Sequence, residues 1–385
     1  MVWLHLISSN NRCSVSSYAI LQVRILISHI AGPPFTHPSI PHLAHYIGSA
    51  TPRSSPSHYL NAIQALVHSY RLDIESPVDT ADQAQDDPRI VDTIPLLVNN
   101  MGWNKGLGAD LTRQIQDMVE PTDIFEVEAP TFERGWPVAD PIPPNGTFGQ
   151  QNMRLHVLEP ITAPILTNNY SPADYRVLSM LSYFHAIFPP SRPKELQQIS
   201  ASSWNTELPL CARPPYEVDW TQALDRVFLV GAGMEDVIPS EIERVLNGAI
   251  VGLVSCASEA IDIDIESSLS NQAIPYTQGA LPISPSTSTC HGLALIRSVS
   301  PDSTHMHVLT SLPAFVLAKC RVMVKGELEL PVWGMLDFRS DGGEGAGTIA
   351  GVEKSKVPYL QWGKGEGIGG ERRRVRRNLM RKGQM

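Results

Sequence analysis

A glycine-rich stretch in the first third of the chain contains residue types that could hold a phosphate or a nucleotide. Residues 99–111 read NNMGWNKGLGADL and follow the apolar run IPLLV. Three glycines surround Trp103 and Lys105 where a strand pattern gives way to a helix pattern, which is where α/β proteins place ligand contacts. A Walker A loop needs G-x-x-x-x-G-K-[ST], so that backbone amides, a lysine and a hydroxyl hold the phosphates and Mg²⁺. That pattern does not occur in the 385 residues.

The tryptophan of this stretch fits a different role. A tryptophan most often belongs to a core, but the neighbours of Trp103 are Gly102, Asn104 and Lys105, which favour an exposed ring beside a cation. Proteins hold single-stranded nucleic acid by stacking a base on an aromatic face with a cation near the phosphate. We therefore expect Trp103 to stack on a base, and burial under the following helix is the alternative.

The elements that position this loop follow from apolar periodicity. Residues 19–28, AILQVRILIS, have a strand pattern, and two prolines in the following GPPFTHP exclude a helix there. The strand, helix and strand expected between 95 and 127 predict a β-α-β unit of a parallel, doubly wound sheet. The ranges predicted from these patterns are a helix over 57–70, a strand over 95–99, a helix over 109–119 and a strand over 123–127.

A further helix start lies in SPADYRVLSMLSYFHAIF. Ser171 suits the N-cap, Pro172 the first helical position and Asp174 the first turn. The apolar stripe predicted for this helix consists of Val177, Met180, Leu181, Phe184 and Phe188.

The character of the chain changes near residue 202. The segments RVFLV, AIVGLVS, HGLALIRSV, MHVLTSL and RVMVKGELELPVW read as short strands, and PSEIERVLNG reads as a helix ended by Gly248. The fold class predicted is α/β, with a partial P-loop-NTPase-like parallel sheet and flanking helices, followed by a β-rich C-terminal domain. The domains are expected at 1–201 and 202–370, with a basic tail at 371–385.

Composition narrows the class of protein. With 42% hydrophobic and 18% charged residues, the chain is expected to be soluble and globular, and no apolar run is long enough to span a membrane. The net charge of −9 argues against a uniformly basic nucleic-acid binder, although ERRRVRRNLMRK near the end is strongly basic. Five widely spaced cysteines imply neither a disulfide framework nor a zinc knuckle.

Three other motifs resemble metal or nucleotide sites but are better explained as loops or linkers. His37, His42 and His45 lack a nearby cysteine or carboxylate at ligand spacing, so loop histidines are the better interpretation. The alternation IDIDIE at 261–266 is read as a solvated loop face, and GEGIGG at 365–370 as a linker, because no strand precedes it. The sequence therefore predicts no metal site.

Several motifs in order resemble a known family. GPPFTHP, HYIGSATPRSSPSHYLNAIQALV, PLLVNNMGWNKGLGADL and SPADYRVLSMLSYFH are similar to the eukaryotic polynucleotide 5′-hydroxyl kinase family, in its nucleolar, rRNA-processing branch. VLNGAIVGLV, CHGLALIRSV, KGELELPVWGML and the terminal VPYLQW and RRRVRRNLMRK resemble that branch's C-terminal domain. The resemblance covers roughly residues 20–385.

The resemblance implies a transferase that moves the γ-phosphate of ATP, with Mg²⁺, to the 5′-hydroxyl of RNA. It places a lid on SPADYRVLSML, with Arg176 as the residue that neutralises charge on the transferring phosphoryl group. It places a clasp on NNMGWNKG that holds the RNA end, and Asn100 stands where the family usually has threonine. The clasp residues implied are Asn99, Asn100, Gly102, Trp103, Lys105 and Gly106.

One departure from the family lies before residue 19. The family's P-loop and an Asp-containing strand should precede AILQVRILIS, and residues 1–18 contain neither G-K-[ST] nor any Asp or Glu. Phosphoryl transfer depends on Mg²⁺ and the P-loop lysine. The first hypothesis is therefore that the 385 residues are a C-terminal portion of such a kinase. That portion is expected to be inactive alone and is not expected to bind ATP. The second is a non-catalytic RNA- or partner-binding module.

The resemblance also carries expectations about location and partners. It implies a nuclear and nucleolar protein that acts on 5′-hydroxyl ends of pre-rRNA beside an endonuclease that cuts the pre-rRNA spacer. The arginines at 372–377 have the composition of an import signal or an RNA contact.

Overall fold

The fold is described by a computed structural model. The residues that it describes are 3–6, 22–27, 36–72, 96–100, 105–127, 153–159, 172–188, 201, 203–257, 274–278, 283–300, 303–335, 348–349 and 352–353. Residues 1–205 and 215–331 form one compact unit, and 206–214 with 332–385 form another. The predicted division at 201 and 370 stays a prediction.

A four-stranded sheet begins the first unit. Its strands are β1 (Trp3–Leu6), β2 (Gln22–Ile27), β3 (Leu43–Tyr46) and β4 (Leu96–Asn99), in the order β3-β2-β1-β4. Strands β1 and β2 are parallel, whereas β3 and β4 join antiparallel at the two edges. The strand predicted over 19–28 is confirmed as β2, and the α/β class is confirmed.

Two helices bury one shared apolar face. Helix α1 (Pro56–Tyr70) starts with proline at its first position, and α2 (Leu107–Val119) follows β4. The helix predicted over 57–70 is confirmed as α1, and one face of it is buried. That core consists of Tyr59, Ile63, Leu66, Val67 and Tyr70 from α1, with Leu111 and Ile115 from α2.

The predicted β-α-β unit is wrong in its pairing. Strand β5 (Asp123–Val127) forms where expected, but it pairs in parallel with β6 (Arg154–Leu158) in a separate two-stranded sheet. Strand β4 pairs with β1 instead. Local periodicity sets the elements, whereas long-range contacts decide which strand lies beside which.

Helix α3 (Pro172–His185) begins as its proline predicts. Met180 and Phe184 of the predicted stripe are buried. Phe188 does not belong to the helix, because the chain turns into a short strand, β7 (Ala186–Ile187), that pairs with β8 (Ser203–Trp204).

The β-rich part, as far as the structure describes it, is a seven-stranded mixed sheet with three short helices. The strands are β9 (Tyr216–Asp219), β10 (Arg226–Leu229), β11 (Ile250–Cys256), β12 (Tyr276–Thr277), β13 (Ser288–Val299), β14 (His305–Thr310) and β15 (Val322–Lys325), and the short helices are α4 (Trp220–Ala223), α5 (Ile242–Leu246) and α6 (Ala314–Leu317). The order of the strands in the sheet is β12-β10-β15-β11-β13-β14-β9. The helix predicted before Gly248 is confirmed as a 3₁₀ turn, Pro239–Glu241, continued by α5.

The end of β3 packs on this seven-stranded sheet within the same unit. Gly48, at φ +75°, crosses Gly326 so closely that a Cβ on Gly326 would lie 2.5 Å from the Gly48 Cα. The Glu327 amide donates to the Gly48 carbonyl at 2.6 Å. A Cβ on Gly252 would lie 2.6 Å from Cγ of Tyr46. We call this contact the glycine crossing; here glycine is required because backbone and ring occupy the space of a side chain.

The second unit contains a hydrogen bond from the Cys211 amide to the Met335 carbonyl and the hairpin β16 (Thr348–Ile349) and β17 (Val352–Glu353). The segments IDIDIE at 261–266, GEGIGG at 365–370 and the basic tail at 371–385 lie outside the described residues. In the part of the chain that the structure describes, no helix is long and apolar enough to cross a membrane.

Candidate functional site

The expected clasp lies between the end of β4 and the start of α2. Asn99 is the last residue of β4, and Asn100 follows it half-buried. Lys105 and Gly106 lie exposed just before α2. The structure therefore brings these four residues to one strand-to-helix connection. Gly102 and Trp103 lie outside the described residues, so their part in the clasp stays a prediction.

Asn100 is held against α2 by its side chain. Its Nδ2 donates to the Thr112 hydroxyl at 2.8 Å. Thr112 lies in the second turn of α2, so this bond fixes the start of the loop to the helix that follows it. An asparagine at this position therefore has a structural use that its sequence position did not reveal.

The start of α2 offers positive potential to an anion. Gly106 precedes the helix at φ +56°, and among the described residues no atom outside its immediate chain neighbours lies within 4 Å of the place where a Cβ would stand. The first amides of a helix lack partners within the helix and carry partial positive charge. With the Lys105 cation beside them, they could attract a phosphate that approaches from solvent.

Arg176, the expected lid residue, lies on another element. It is half-buried in the second turn of α3. It belongs to the N-terminal half of the helix, whereas the C-terminal half packs on the seven-stranded sheet. Its action on a phosphoryl group stays a prediction.

The C-terminal half of α3 is anchored by Tyr183, a residue that the sequence did not single out. The Tyr183 hydroxyl accepts from the Leu293 amide at 2.9 Å, and the Tyr183 carbonyl accepts from the Ser311 hydroxyl at 2.6 Å. Burial raises the pKa of Tyr183 to about 12, so the hydroxyl keeps its proton at neutral pH. The only sequence signal was the glycine opposite it, Gly292, inside a strongly apolar strand.

His45 corrects one expectation. It lies in β3 and is buried, so it is not a loop histidine. Burial, and then the neighbouring His58, lower the pKa of His45 to about 4. Neither ring nitrogen makes a hydrogen bond within the described part of the chain. The Ser288 backbone opposes this shift.

A narrow cavity of ≈ 20 Å³ borders His45, His58 and Cys290. That volume has room for a water molecule but not for a nucleotide. Among the described residues, no three histidine, cysteine or acidic side chains are grouped to hold a metal ion.

Comparison with known proteins finds a family model that matches part of the chain. The family model described as the P-loop of mRNA cleavage and polyadenylation factor CLP1 matches residues 25–186. This range contains the clasp and the lid helix. The expectation that the chain has no P-loop is thus refined: the domain is of P-loop type, although the Walker A pattern does not occur in the sequence.

Two similar proteins carry the same name. A polynucleotide 5′-hydroxyl-kinase GRC3 of Cryptococcus neoformans var. neoformans serotype D (strain B-3501A) is 34% identical over 95% of this chain and 50% of its own. The kinase of the same name from Schizosaccharomyces pombe is 24% identical over 92% of this chain and 47% of its own.

A solved structure of a wild-type Clp1p–Pcf11p complex is also similar, at 15% identity and a TM-score of 0.38, and covers 74% of this chain and 55% of that chain. The chain spans about half the length of the curated relatives that it matches. These relatives and the family model agree with the order of motifs in the sequence, and along 95% of its length the chain is similar to a polynucleotide 5′-hydroxyl kinase.

Proposed function

We propose that this chain carries the clasp and lid of a polynucleotide 5′-hydroxyl kinase that phosphorylates RNA 5′-hydroxyl ends with ATP during rRNA processing. The observation that carries the proposal is the 34% identity to a kinase of that name along 95% of the chain. The described clasp supports it, because its exposed lysine and open helix start suit an anionic strand end.

The proposed division of work follows from the side chains. Lys105 and the first amides of α2 attract the RNA backbone, and Trp103 stacks on a base near the 5′ end. Asn100 keeps the loop against α2 through Thr112. The Arg176 guanidinium neutralises part of the charge on the phosphoryl group as it moves to the 5′-oxygen.

We further propose that these residues alone do not catalyse transfer. The P-loop lysine and Mg²⁺ supply most of the charge neutralisation in phosphoryl transfer. No Walker A pattern occurs in the sequence, and the described residues show no metal-ligand group. ATP with Mg²⁺ is therefore the co-substrate of the complete kinase and is bound only weakly by this chain.

The test uses the full chain with γ-labelled ATP, Mg²⁺ and 5′-hydroxyl RNA. The expected result is RNA retention without label transfer, together with loss of retention when Lys105 is changed to Ala. The Arg113→Ala variant is a matched control, because Arg113 is an exposed cation of the same region that pairs with Asp110 at 3.6 Å. Transfer of label above a no-protein blank would show that the chain is active and overturn the inactivity proposal.

A second candidate is a non-catalytic RNA- or partner-binding module, which the missing Walker A pattern favours. The two candidates differ when the rest of a kinase is present. If the chain is part of a kinase, a longer protein that supplies the P-loop before residue 19 gains transfer activity that depends on Arg176. If the chain is a module, that longer protein binds RNA and stays inactive.

We also propose a nuclear and nucleolar location, and assembly with the endonuclease that cuts the pre-rRNA spacer. The motifs that resemble the rRNA-processing branch and the arginines at 372–377 support this. A fluorescent fusion that ends at residue 370 should lose nuclear accumulation, and unchanged accumulation would exclude the tail as the signal. Affinity purification of the full chain should recover nuclease activity on spacer RNA, and its absence would count against the partner.

A further inference from the structure

Tyr183 completes a hydrogen-bonded ladder of the seven-stranded sheet. Strands β13 and β14 pair up to Ala294 opposite Thr310, and the next residues along each strand are Leu293 and Ser311. Both of these bond to Tyr183 instead of to each other. The Leu293 amide donates to the Tyr183 hydroxyl at 2.9 Å, and the Ser311 hydroxyl donates to the Tyr183 carbonyl at 2.6 Å. We call these two hydrogen bonds, from Leu293 and Ser311 to Tyr183, the Tyr183 joint. A buried amide without a hydrogen-bond partner is costly, so the joint is strongly favoured.

The sheet is shaped to receive this side chain. A Cβ on Gly292 would collide with the Tyr183 hydroxyl oxygen and would also lie 3.1 Å from a methyl group of Leu312. The Thr310 hydroxyl donates to the Leu293 carbonyl at 2.7 Å, which fixes the peptide that Tyr183 meets. The ring also meets Phe184 and Phe188 edge to face. The position therefore requires both the aromatic ring and the hydroxyl group of a tyrosine.

The anchored residue lies on the same helix face as the lid arginine. Arg176 precedes Tyr183 by seven residues, which is close to two turns of α3. Residues at that spacing point to the same side of a helix. Further fixation occurs after Tyr183, where the His185 carbonyl accepts from the Asn205 amide at 2.8 Å. The helix is thus held at its C-terminal end and presents Arg176 from its N-terminal half.

We propose that Tyr183 is a positioning residue that sets where Arg176 meets a 5′-phosphoryl group, by fixing α3 to the seven-stranded sheet. The inference rests on the proposed function, because it takes Arg176 as the lid residue. It assigns the β-rich part of the chain a direct share in the site: the edge of β13 and β14 determines the position of the lid.

The test compares one RNA oligonucleotide with a 5′-phosphate and with a 5′-hydroxyl end, titrated into the full chain. The ratio of the two affinities reports the contact to the phosphoryl group alone. The unaltered chain should prefer the 5′-phosphate, and Arg176→Ala should abolish that preference. Tyr183→Phe should reduce the preference by a factor of ~2–10, the range for one hydrogen bond, and leave 5′-hydroxyl binding unchanged.

Two further variants separate positioning from folding. Tyr276→Phe is the matched control: its hydroxyl donates to the Val237 carbonyl at 2.7 Å in the same sheet, away from α3, so its loss should leave the ratio unchanged. Gly292→Ala should lower the ratio as Tyr183→Phe does, because it displaces the same joint. Combined with Arg176→Ala, Tyr183→Phe should have no further effect on the ratio.

Different results overturn different statements. If Arg176→Ala lowers the ratio and Tyr183→Phe lowers only the thermal unfolding midpoint, Tyr183 is structural and this inference is wrong while the lid assignment stands. If the unaltered chain shows no preference, or Arg176→Ala leaves the preference intact, the lid assignment of the proposed function fails and this inference fails with it.

Discussion

At the scale of single residues, His45 shows how burial changes a side chain's chemistry. The ring is 4% exposed and has His58 as a neighbour. Removing it from water disfavours the charged form, and a second histidine nearby adds to that effect. A residue that could suggest a metal ligand in the sequence is therefore a neutral core residue at neutral pH.

This burial predicts a pH dependence of stability. The pKa of His45 is about 4 in the folded chain against 6.5 when unfolded, so between these values the unfolded chain binds more protons. The free energy of unfolding is therefore highest above pH 6.5 and decreases as pH falls towards 4. The decrease due to His45 is on the order of 3 kcal/mol. The pKa of His58 is lowered as well, which adds in the same direction.

Urea unfolding between pH 7 and pH 4 measures this effect. The His45→Leu variant should lose about one proton's share of the slope that the unaltered chain shows. The contributions of Asp123 and Asp219, whose pKa values are lowered from 3.8, begin to be lost near about pH 5 and are lost mainly below 3.8, and this loss is common to the variant and the unaltered chain. An unchanged slope in His45→Leu would contradict the assignment.

The clasp gives a second prediction at this scale. If Trp103 stacks on a base, Trp103→Ala should cost ~1–3 kcal/mol of RNA affinity with little loss of stability. If the ring belongs to the core under α2, the same change should cost ~3–5 kcal/mol of stability. RNA titration and urea unfolding of one variant distinguish the two, and a large loss of stability with unchanged affinity would remove Trp103 from the clasp.

At the scale of elements, α1 shares one apolar core with α2. Its apolar side chains meet α2, and Leu66 is fully buried. Leu66→Ala should therefore cost ~2–5 kcal/mol of unfolding free energy, because it leaves a cavity in a packed site. Gln64→Ala, on the exposed face of the same helix, should change stability by less than about 0.5 kcal/mol. Equal effects in urea unfolding would contradict the observed orientation of α1.

The helices could be predicted from sequence because their signals are local. Apolar spacing located α1, and a proline at the first position with apolar spacing located α3, each to within a few residues. The partner of β5 could not be predicted, since pairing depends on residues far away in sequence. Tyr183 was missed for the same reason, because its role exists only where β14 stops pairing with β13.

At the scale of the whole unit, a side-chain hydrogen bond links the α/β part to the β-rich part beside the glycine crossing. The buried Ser49 hydroxyl donates to a Glu327 carboxylate oxygen at 2.8 Å, and the other carboxylate oxygen accepts from the Ala232 amide at 3.3 Å. A bond to a charged acceptor from a buried donor is worth more than an exposed ion pair.

A double-mutant cycle tests this link. Ser49→Ala and Glu327→Ala should show a coupling of ~0.5–1.5 kcal/mol in urea unfolding. The exposed pair Arg244 and Glu241, at 3.4 Å, is the control and should show a coupling of about 0.3 kcal/mol. A coupling at the first pair no larger than at the second would show that Ser49 and Glu327 do not hold the two parts together.

The glycine crossing also limits how this protein can be divided or recombined. At Gly48 and Gly326 two backbones touch with no side chain between them, so neither surface can be adjusted by a conservative substitution. A fragment that starts at residue 202 would expose Gly252 and the Gly326 backbone that Tyr46 and Gly48 now cover. Chimaeras between relatives should therefore stay soluble only when residues 46–49 and 325–327 come from the same parent.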